Sequence, residues 1–355
     1  MNNGISLYPG LDNTLEENLN LIETASKRGL KRIFTSLHIP ETDKAKLKQE
    51  LSIILSGAKD NDMEIISDIS PKTTEILGID GRDLRAFKNL GITALRLDYG
   101  YNAETIAKFS RNDEGIKIVL NASAINAEIL SDLEKHNADF SGIEALHNFY
   151  PRKNTGLAEE FFTAKTKLLQ AYGIKVGAFV SSEGKKRGPM FEGIPTLEAH
   201  RDTDTSLAAR HLTALGTDFI VISESLPLQS EMESLAKLKS NEVVLKAKLF
   251  TKDKAQIELL SNTFTAREDE ARDVIRAAEG RALLKGTIEP ENNIPRKIGA
   301  ITVDNKNYQR YMGELQIIKT PLPCDERVNV VGQVEDSELF MLKYILPGVK
   351  FSFEV

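Results

Sequence analysis

The chain has one cysteine, Cys324, and no tryptophan. A lone thiol forms no intrachain disulfide, so the fold rests on packing, and the composition suits a reducing compartment. No apolar run approaches the roughly 18 residues that span a bilayer. The opening Met1-Asn2-Asn3-Gly4 has neither the basic nor the apolar region of a secretory signal, and a cytoplasmic location is expected. An excess of basic charge is missing too: 46 Lys and Arg against 52 Asp and Glu leave a net charge of -6. General nucleic-acid affinity needs a basic face, so neither nucleic acid nor membrane is an expected partner. Walker and Rossmann glycine fingerprints are absent, as are His-x-His and His-Glu-x-x-His spacings. No cofactor and no metal are therefore expected.

What is present is a rhythm. Eight short apolar runs end in polar residues: Ile5–Tyr8, Ile33–Ile39, Ile65–Ile69, Ala94–Asp98, Ile116–Asn121, Ile143–His147, Val176–Ser181 and Phe219–Ser223. Helical patterning fills the gaps. Thr14 with Glu17 reads as a capping box opening a helix to Arg28, and further helices are expected over Asn126–His136, Leu157–Tyr172 and Ser230–Lys239. The alternation predicts the α/β class and a closed (β/α)8 TIM barrel, whose chemistry lies where the strands end. Such a barrel takes about 250 residues, which leaves room for a second unit. After Asn241 the pattern turns β-rich, with strands expected over Val243–Phe250, Ile257–Leu260, Lys297–Val303, Leu315–Ile318, Val328–Val331 and Leu339–Leu346. One helix is expected there, Ala266–Ala278. The domains are read as 1–240, a catalytic barrel, and 241–355, a small β-barrel.

Side chains two apart on a strand share a face. In the fourth run Leu95, Leu97 and Tyr99 suit a helix-packed face, which turns Arg96 and Asp98 into the barrel. The same reasoning turns inward Asp68, Ser36, His38 and Asn121, and places Glu144 and Asn148 on one side of the sixth strand. Buried charges are costly unless paired or set at an open pocket. Arg96 with Asp98, Asp68 or Glu144 thus fits either a buried ion network or a reactive site. Several neighbouring strands delivering polar groups to one pocket favour the site. The long connection after the seventh run adds Lys185, Lys186 and Arg187 among glycines, then His200 and Arg201. Barrels often bind phosphate near the loops after strands seven and eight, so an anionic ligand is expected, although a solvated basic loop gives the same pattern. No lysine ends strand six, and Lys117 opens strand five at the opposite end, which disfavours a Schiff-base aldolase.

Three stretches carry a family resemblance: Tyr8-Pro9-Gly10, His147-Asn148-Phe149-Tyr150-Pro151-Arg152, and the run from Arg187-Gly188-Pro189-Met190-Phe191-Glu192 through Gly193-Ile194-Pro195-Thr196-Leu197-Glu198-Ala199 to His200-Arg201. Across essentially its whole length the chain resembles the bacterial 6-phospho-N-acetylmuramidases. The resemblance implies a barrel followed by a cyclophilin-like β-barrel. It also implies cleavage of 6-phospho-N-acetylmuramic acid linked β-1,4 to N-acetylglucosamine, a small-molecule disaccharide, during intracellular peptidoglycan recycling. Glycosidases generally use two carboxyl groups, and Asp98 with Asp68 is the expected pair, followed by Glu192 and then Glu144. A substrate-assisted route through the acetamido group fits as well. Arg152, Arg187 and Arg201 are expected among the anion ligands, with His200 or Tyr150 beside them; Arg96, Asn121 and Asn148 complete the binding set. Another sugar-phosphate barrel enzyme (isomerase, epimerase or aldolase) and a non-enzymatic binding protein are the competing readings. A homo-oligomer is left open.

Overall fold

The structure, a computed structural model, describes every residue except His38, Pro40, 70–77, Asp98 and Tyr99, and for Lys44 the backbone alone. The expected site residue Asp98 thus lies outside the described residues, as does His38. Two compact units result, one of Met1–Leu212 with Gly216–Ser240 and the other of Thr213–Leu215 with Asn241–Val355. Among the described residues no helix is long and apolar enough to cross a membrane.

The first unit is a closed barrel of eight parallel strands in sequence order. They are β1 (Gly4–Leu7), β2 (Arg32–Ser36), β3 (Glu64–Ile69), β4 (Ala94–Leu97), β5 (Lys117–Asn121), β6 (Ile143–Leu146), β7 (Lys175–Val180) and β8 (Phe219–Ile222). β8 closes on β1 with Gly4 opposite Val221. The helices begin where the sequence caps them. Thr14 Oγ1 accepts from Glu17 N at 3.1 Å and the Glu17 carboxylate accepts from Thr14 N at 2.7 Å, opening the helix Leu15–Lys27. Asn126 accepts from Ile129 N and opens Ala127–Lys135. Caps of this kind, the first of them reciprocal, satisfy backbone N–H groups that the helix itself leaves unpaired.

Inside the barrel, side chains stack in layers, as the two-residue period dictates. The middle layer is apolar and includes Phe34, Ile66, Ala94, Val119, Leu146, Phe179 and Phe219. Gly177 makes room for it: a Cβ there would stand 2.1 Å from the Phe219 ring. Below lies a charged plug made by residues at the strand starts. Arg32 stacks on Phe219 at 4.2 Å and donates to Glu64 at 2.8 Å and Glu144 at 2.9 Å. Lys117 closes the group at 3.3 Å from Glu144. Glu144 therefore faces inward, as expected, but at the barrel floor and not at the mouth. Burial alone would raise its pKa; Arg32 and Lys117 outweigh this and hold the carboxyl below its ordinary range.

The second unit is a mixed seven-stranded sheet in the order β10-β15-β9-β14-β12-β13-β11. Its strands are β9 (Glu242–Leu249), β10 (Phe264–Thr265), β11 (Val274–Arg276), β12 (Ala300–Asp304), β13 (Leu315–Ile318), β14 (Val328–Val334) and β15 (Lys350–Glu354). β15 runs parallel to β9, and the remaining neighbours are antiparallel. Three expectations change here. Ile257–Leu260 is helical, within Lys254–Leu260, because Asp253 caps the turn by accepting from Gln256 N at 2.9 Å. Leu339–Leu346 mostly falls in the 3-10 segment Asp336–Tyr344. The expected helix Ala266–Ala278 is instead folded back on itself, with Ala266 bridged to Ala277 and β11 paired to β13. That pairing buries Ile275 and joins Arg267 and Arg276 to Asp269, so tertiary pairing overrides a helical pattern.

Candidate active site at the barrel mouth

At the opposite end from the plug, the inward-facing residues turn polar. Asp68, near the end of β3, is 7% exposed and accepts from Arg96 Nη1 at 2.8 Å. Register explains the pairing, since Asp68 and Arg96 are direct neighbours across β3 and β4. Arg96 Nη2 donates to the Asn148 side-chain oxygen just beyond β6. Three expected site residues thus form one connected cluster. A fourth, Asn121, ends β5 but uses its side-chain oxygen to accept from Ser123 N at 3.2 Å.

A chain of contacts behind Asn148 fixes its place. Its backbone N–H donates to Ser123 Oγ at 3.0 Å, and Ser123 Oγ lies 3.2 Å from His147 Nδ1. His147 Nε2 lies 3.1 Å from Thr166 Oγ1, and the ring packs on Phe162. The ring is thus held between the Ser123 and Thr166 hydroxyls, each of which can donate or accept. Thr196 adds a tie from the other side, donating to the Asn148 carbonyl at 2.9 Å.

The connection after β7 is fastened to its surroundings by carboxylates. Glu224, fully buried just past β8, accepts from Arg187 N at 2.7 Å and Ile194 N at 2.9 Å. Burial raises its pKa, against the pull of those two N–H groups and of Lys186 and Arg187. Asp12 accepts from Gly188 N at 3.0 Å and Ser225 Oγ at 2.8 Å. Lys185 donates to the Asp12 carbonyl and the Asn13 side chain. Sequence reasoning missed Glu224 and Asp12. The first was reachable, because Glu224 directly follows the eighth strand run.

The expected anion ligands divide sharply. Arg201 is 4% exposed, and its guanidinium donates to both Glu198 oxygens, at 2.7 and 2.6 Å, and to the Gly193 and Arg152 carbonyls. It is a loop staple, not a receptor, because all three of its nitrogens are engaged internally. Its hydrogen bonds are the largest influence holding Glu198 down at about 2. Arg152 is exposed and contributes its carbonyl to that staple. His200 is buried with Nε2 2.8 Å from His211 Nδ1. Tyr150 is half-buried and its backbone N–H donates to Pro195. Glu192 is half-buried and makes no ion pair or hydrogen bond through its side chain among the described residues. Arg187 stands apart. It is 5% exposed, and its guanidinium carbon lies 4.8 Å from the Tyr8 ring centre and 4.9 Å from that of Phe149. Tyr8 beneath it stays a neutral phenol, since burial pushes its pKa to about 12, and it donates to the Ser223 carbonyl. Among the described residues no group of three or more His, Cys, Asp or Glu is gathered as a metal site.

Two of these histidines set an acid limit on the fold. Burial pushes His147 and His200 down to about 3, so both remain neutral when folded. In the unfolded chain they titrate near 6.5, so the unfolded state binds more protons between those values and stability falls as pH drops through that window. Denaturant unfolding near pH 7 and near pH 4.5 should show a loss of about 2 kcal/mol for each histidine. The double replacement His147→Gln with His200→Gln is expected to flatten that dependence, and an undiminished loss would contradict it.

Against known proteins, a family model described as 6-phospho-N-acetylmuramidase, N-terminal, matches residues 3–237, and its C-terminal counterpart matches 243–354. The crystal structure of an uncharacterized B. cereus protein is similar at 32% identity and a TM-score of 0.86, covering 99% of each chain. That of a conserved Enterococcus faecalis protein of unknown function is similar at 35% identity and a TM-score of 0.71, covering 100% of this chain and 96% of that one. No curated protein matches the chain. With two family models laid end to end along nearly the whole sequence, the chain belongs to the 6-phospho-N-acetylmuramidase family, whose members are glycosidases.

Proposed function

We propose that the protein hydrolyses 6-phospho-N-acetylmuramic acid-β-1,4-N-acetylglucosamine to 6-phospho-N-acetylmuramic acid and N-acetylglucosamine. The observation that carries this reading is the match of both halves of the chain to the two models of that family. The barrel mouth supplies compatible chemistry. Hydrolysis of a glycoside needs a group that protonates the leaving oxygen and one that supports the anomeric carbon or guides its attacker. Asp68 is the described carboxylate best built for one of these roles, because Arg96 fixes its orientation and Asn148, itself held by Ser123, engages Arg96. Glu192, on the loop after β7, carries a carboxylate not engaged by described partners and is the described candidate for the second role. Asp98, two residues beyond Arg96, remains in the proposed pair on sequence grounds. Lys117 sits in the floor plug with Glu64 and Glu144, away from the mouth, which supports hydrolysis over Schiff-base chemistry. We place the reaction in the cytoplasm, in the recycling of cell-wall fragments, where a phosphorylated amino sugar is formed and retained.

The test is mass-spectrometric. Purified protein incubated with the disaccharide is expected to release two monosaccharides when the 6-phosphate is present and none when it is absent. Failure of the folded protein to cleave either form would overturn the assignment.

A further inference from the structure

Seven residues other than glycine hold a positive φ among the described residues: Asp62, Asn137, Asn154, Asn241, Asn292, Gln309 and Phe191. Five are Asn or Asp, whose short polar side chains tolerate the left-handed region. Phe191, at φ 54°, is the one bulky apolar residue of the set, and its backbone is strained there.

Strain of this kind persists only where the surroundings over-determine it. Here they do. Glu224, just past β8, accepts from Arg187 N and Ile194 N and so grips both ends of the 187–194 turn. Asp12, beyond β1, accepts from Gly188 N. Phe191 N donates to the Arg187 carbonyl at 3.2 Å and closes the turn. The Phe191 ring lies back toward Gly188, where a Cβ would stand 3.1 Å from its Cζ. Both carboxylate anchors follow the ends of barrel strands, so the turn is fastened on the mouth side.

What the strain secures is an exposed apolar pair. Phe191 is 59% exposed and Met190 48%, although the residues that bracket them, Arg187 and Ile194, are buried. Phe191 enters no ring-stacking or cation–π contact among the described residues. Set against Gly188 and still more than half exposed, its ring is an apolar surface that the loop itself does not use.

We propose that Phe191, with Met190 beside it, is a platform for the apolar face of a pyranose ring at the barrel mouth. A gluco-configured ring carries its hydroxyls equatorially and turns axial C–H bonds to either face. Those polarised C–H groups suit the negative face of an aromatic quadrupole, and the flexible thioether adapts to the outline of the sugar. The choice of occupant rests on the proposed function, whose substrate consists of two such rings. A platform that uses neither charge nor hydrogen bonds accepts either ring, and the probes separate the two.

Saturation-transfer NMR titrations of the full-length protein measure binding without turnover. The probes are N-acetylglucosamine and N-acetylmuramic acid, with sorbitol as an open-chain polyol. Wild type is expected to bind at least one of the two rings and not sorbitol. Phe191→Gly should weaken that binding about tenfold, Phe191→Leu by less, and Phe191→Tyr hardly at all. Phe191→Gly should also unfold no earlier in urea than the wild type, because glycine relieves the left-handed backbone. A ring present only for packing would give the reverse, an earlier midpoint with sugar binding intact. No binding of either ring by the wild type, sorbitol bound as tightly, unchanged affinity in Phe191→Gly, or an earlier midpoint in that variant would overturn the proposal. Unchanged affinity joined to a loss of self-association would reassign the pair to a contact with a second copy. Phe191-dependent sugar binding without hydrolysis would leave the platform standing and remove only the assigned reaction.

Discussion

Asp68→Asn is expected to lower kcat on the phosphorylated disaccharide by about 10²–10⁴-fold, the range typical of a positioned acid or base. Asparagine has nearly the same shape and keeps an oxygen for Arg96 Nη1, so the neighbouring Arg96–Asn148 contact should survive. What it loses is the ability to exchange a proton or carry a full negative charge beside the anomeric carbon. KM should change little, because asparagine keeps the size and polarity of the side chain. Steady-state kinetics with an unfolding curve for each variant provide the check. Wild-type kcat in a folded Asp68→Asn protein would make the Asp68–Arg96 pair a structural network, the alternative that the sequence itself allows.

The opposite result is expected at the floor of the barrel. Glu144→Ala should destabilise the fold by about 3 kcal/mol, the lower end of the range for removing one member of a buried ion pair. Arg32 is 3% exposed and shares its charge between Glu64 and Glu144; deleting Glu144 leaves Lys117 and Arg32 against a single half-exposed carboxylate. The folded fraction should hydrolyse substrate at the wild-type rate, since the apolar layer of Phe34, Phe179 and Phe219 separates the plug from the mouth. Urea denaturation together with assay of the native protein distinguishes the two effects. Lost activity with an unchanged midpoint would return Glu144 to the active site.

Glu144 also shows where sequence reading stops. The two-residue period correctly gives it the same face as Asn148, because facing is a local property of a strand. Position in the run puts Glu144, like Lys117, at the end where strands begin, four residues of extended chain and roughly 13 Å from Asn148. What is not local is its partner: only the closed barrel brings Arg32 from β2 across to it. The eight strand runs were legible because every barrel strand repeats one pattern, apolar and then polar. The Thr14–Glu17 cap was legible because both halves of the contact lie within four residues.

The arginines of the long loop illustrate a second limit. Arg187 and Arg201 look alike in sequence, yet Glu198, three residues before Arg201, engages one of them. That signal was present and local. The carboxylate that holds the Arg187 backbone N–H, Glu224, lies 37 residues away, a relation that composition does not reveal. In the second unit two of the three misread elements were short apolar runs. Ile257–Leu260 and Leu339–Leu346 are too brief for a period of 2 or 3.6 to declare itself, and caps and pairing decide them instead.

The most direct measurement is a crystal structure of Asp68→Asn soaked with the phosphorylated disaccharide. The account predicts the glycosidic linkage beside residue 68 at the barrel mouth. A ligand bound away from residue 68 would contradict it.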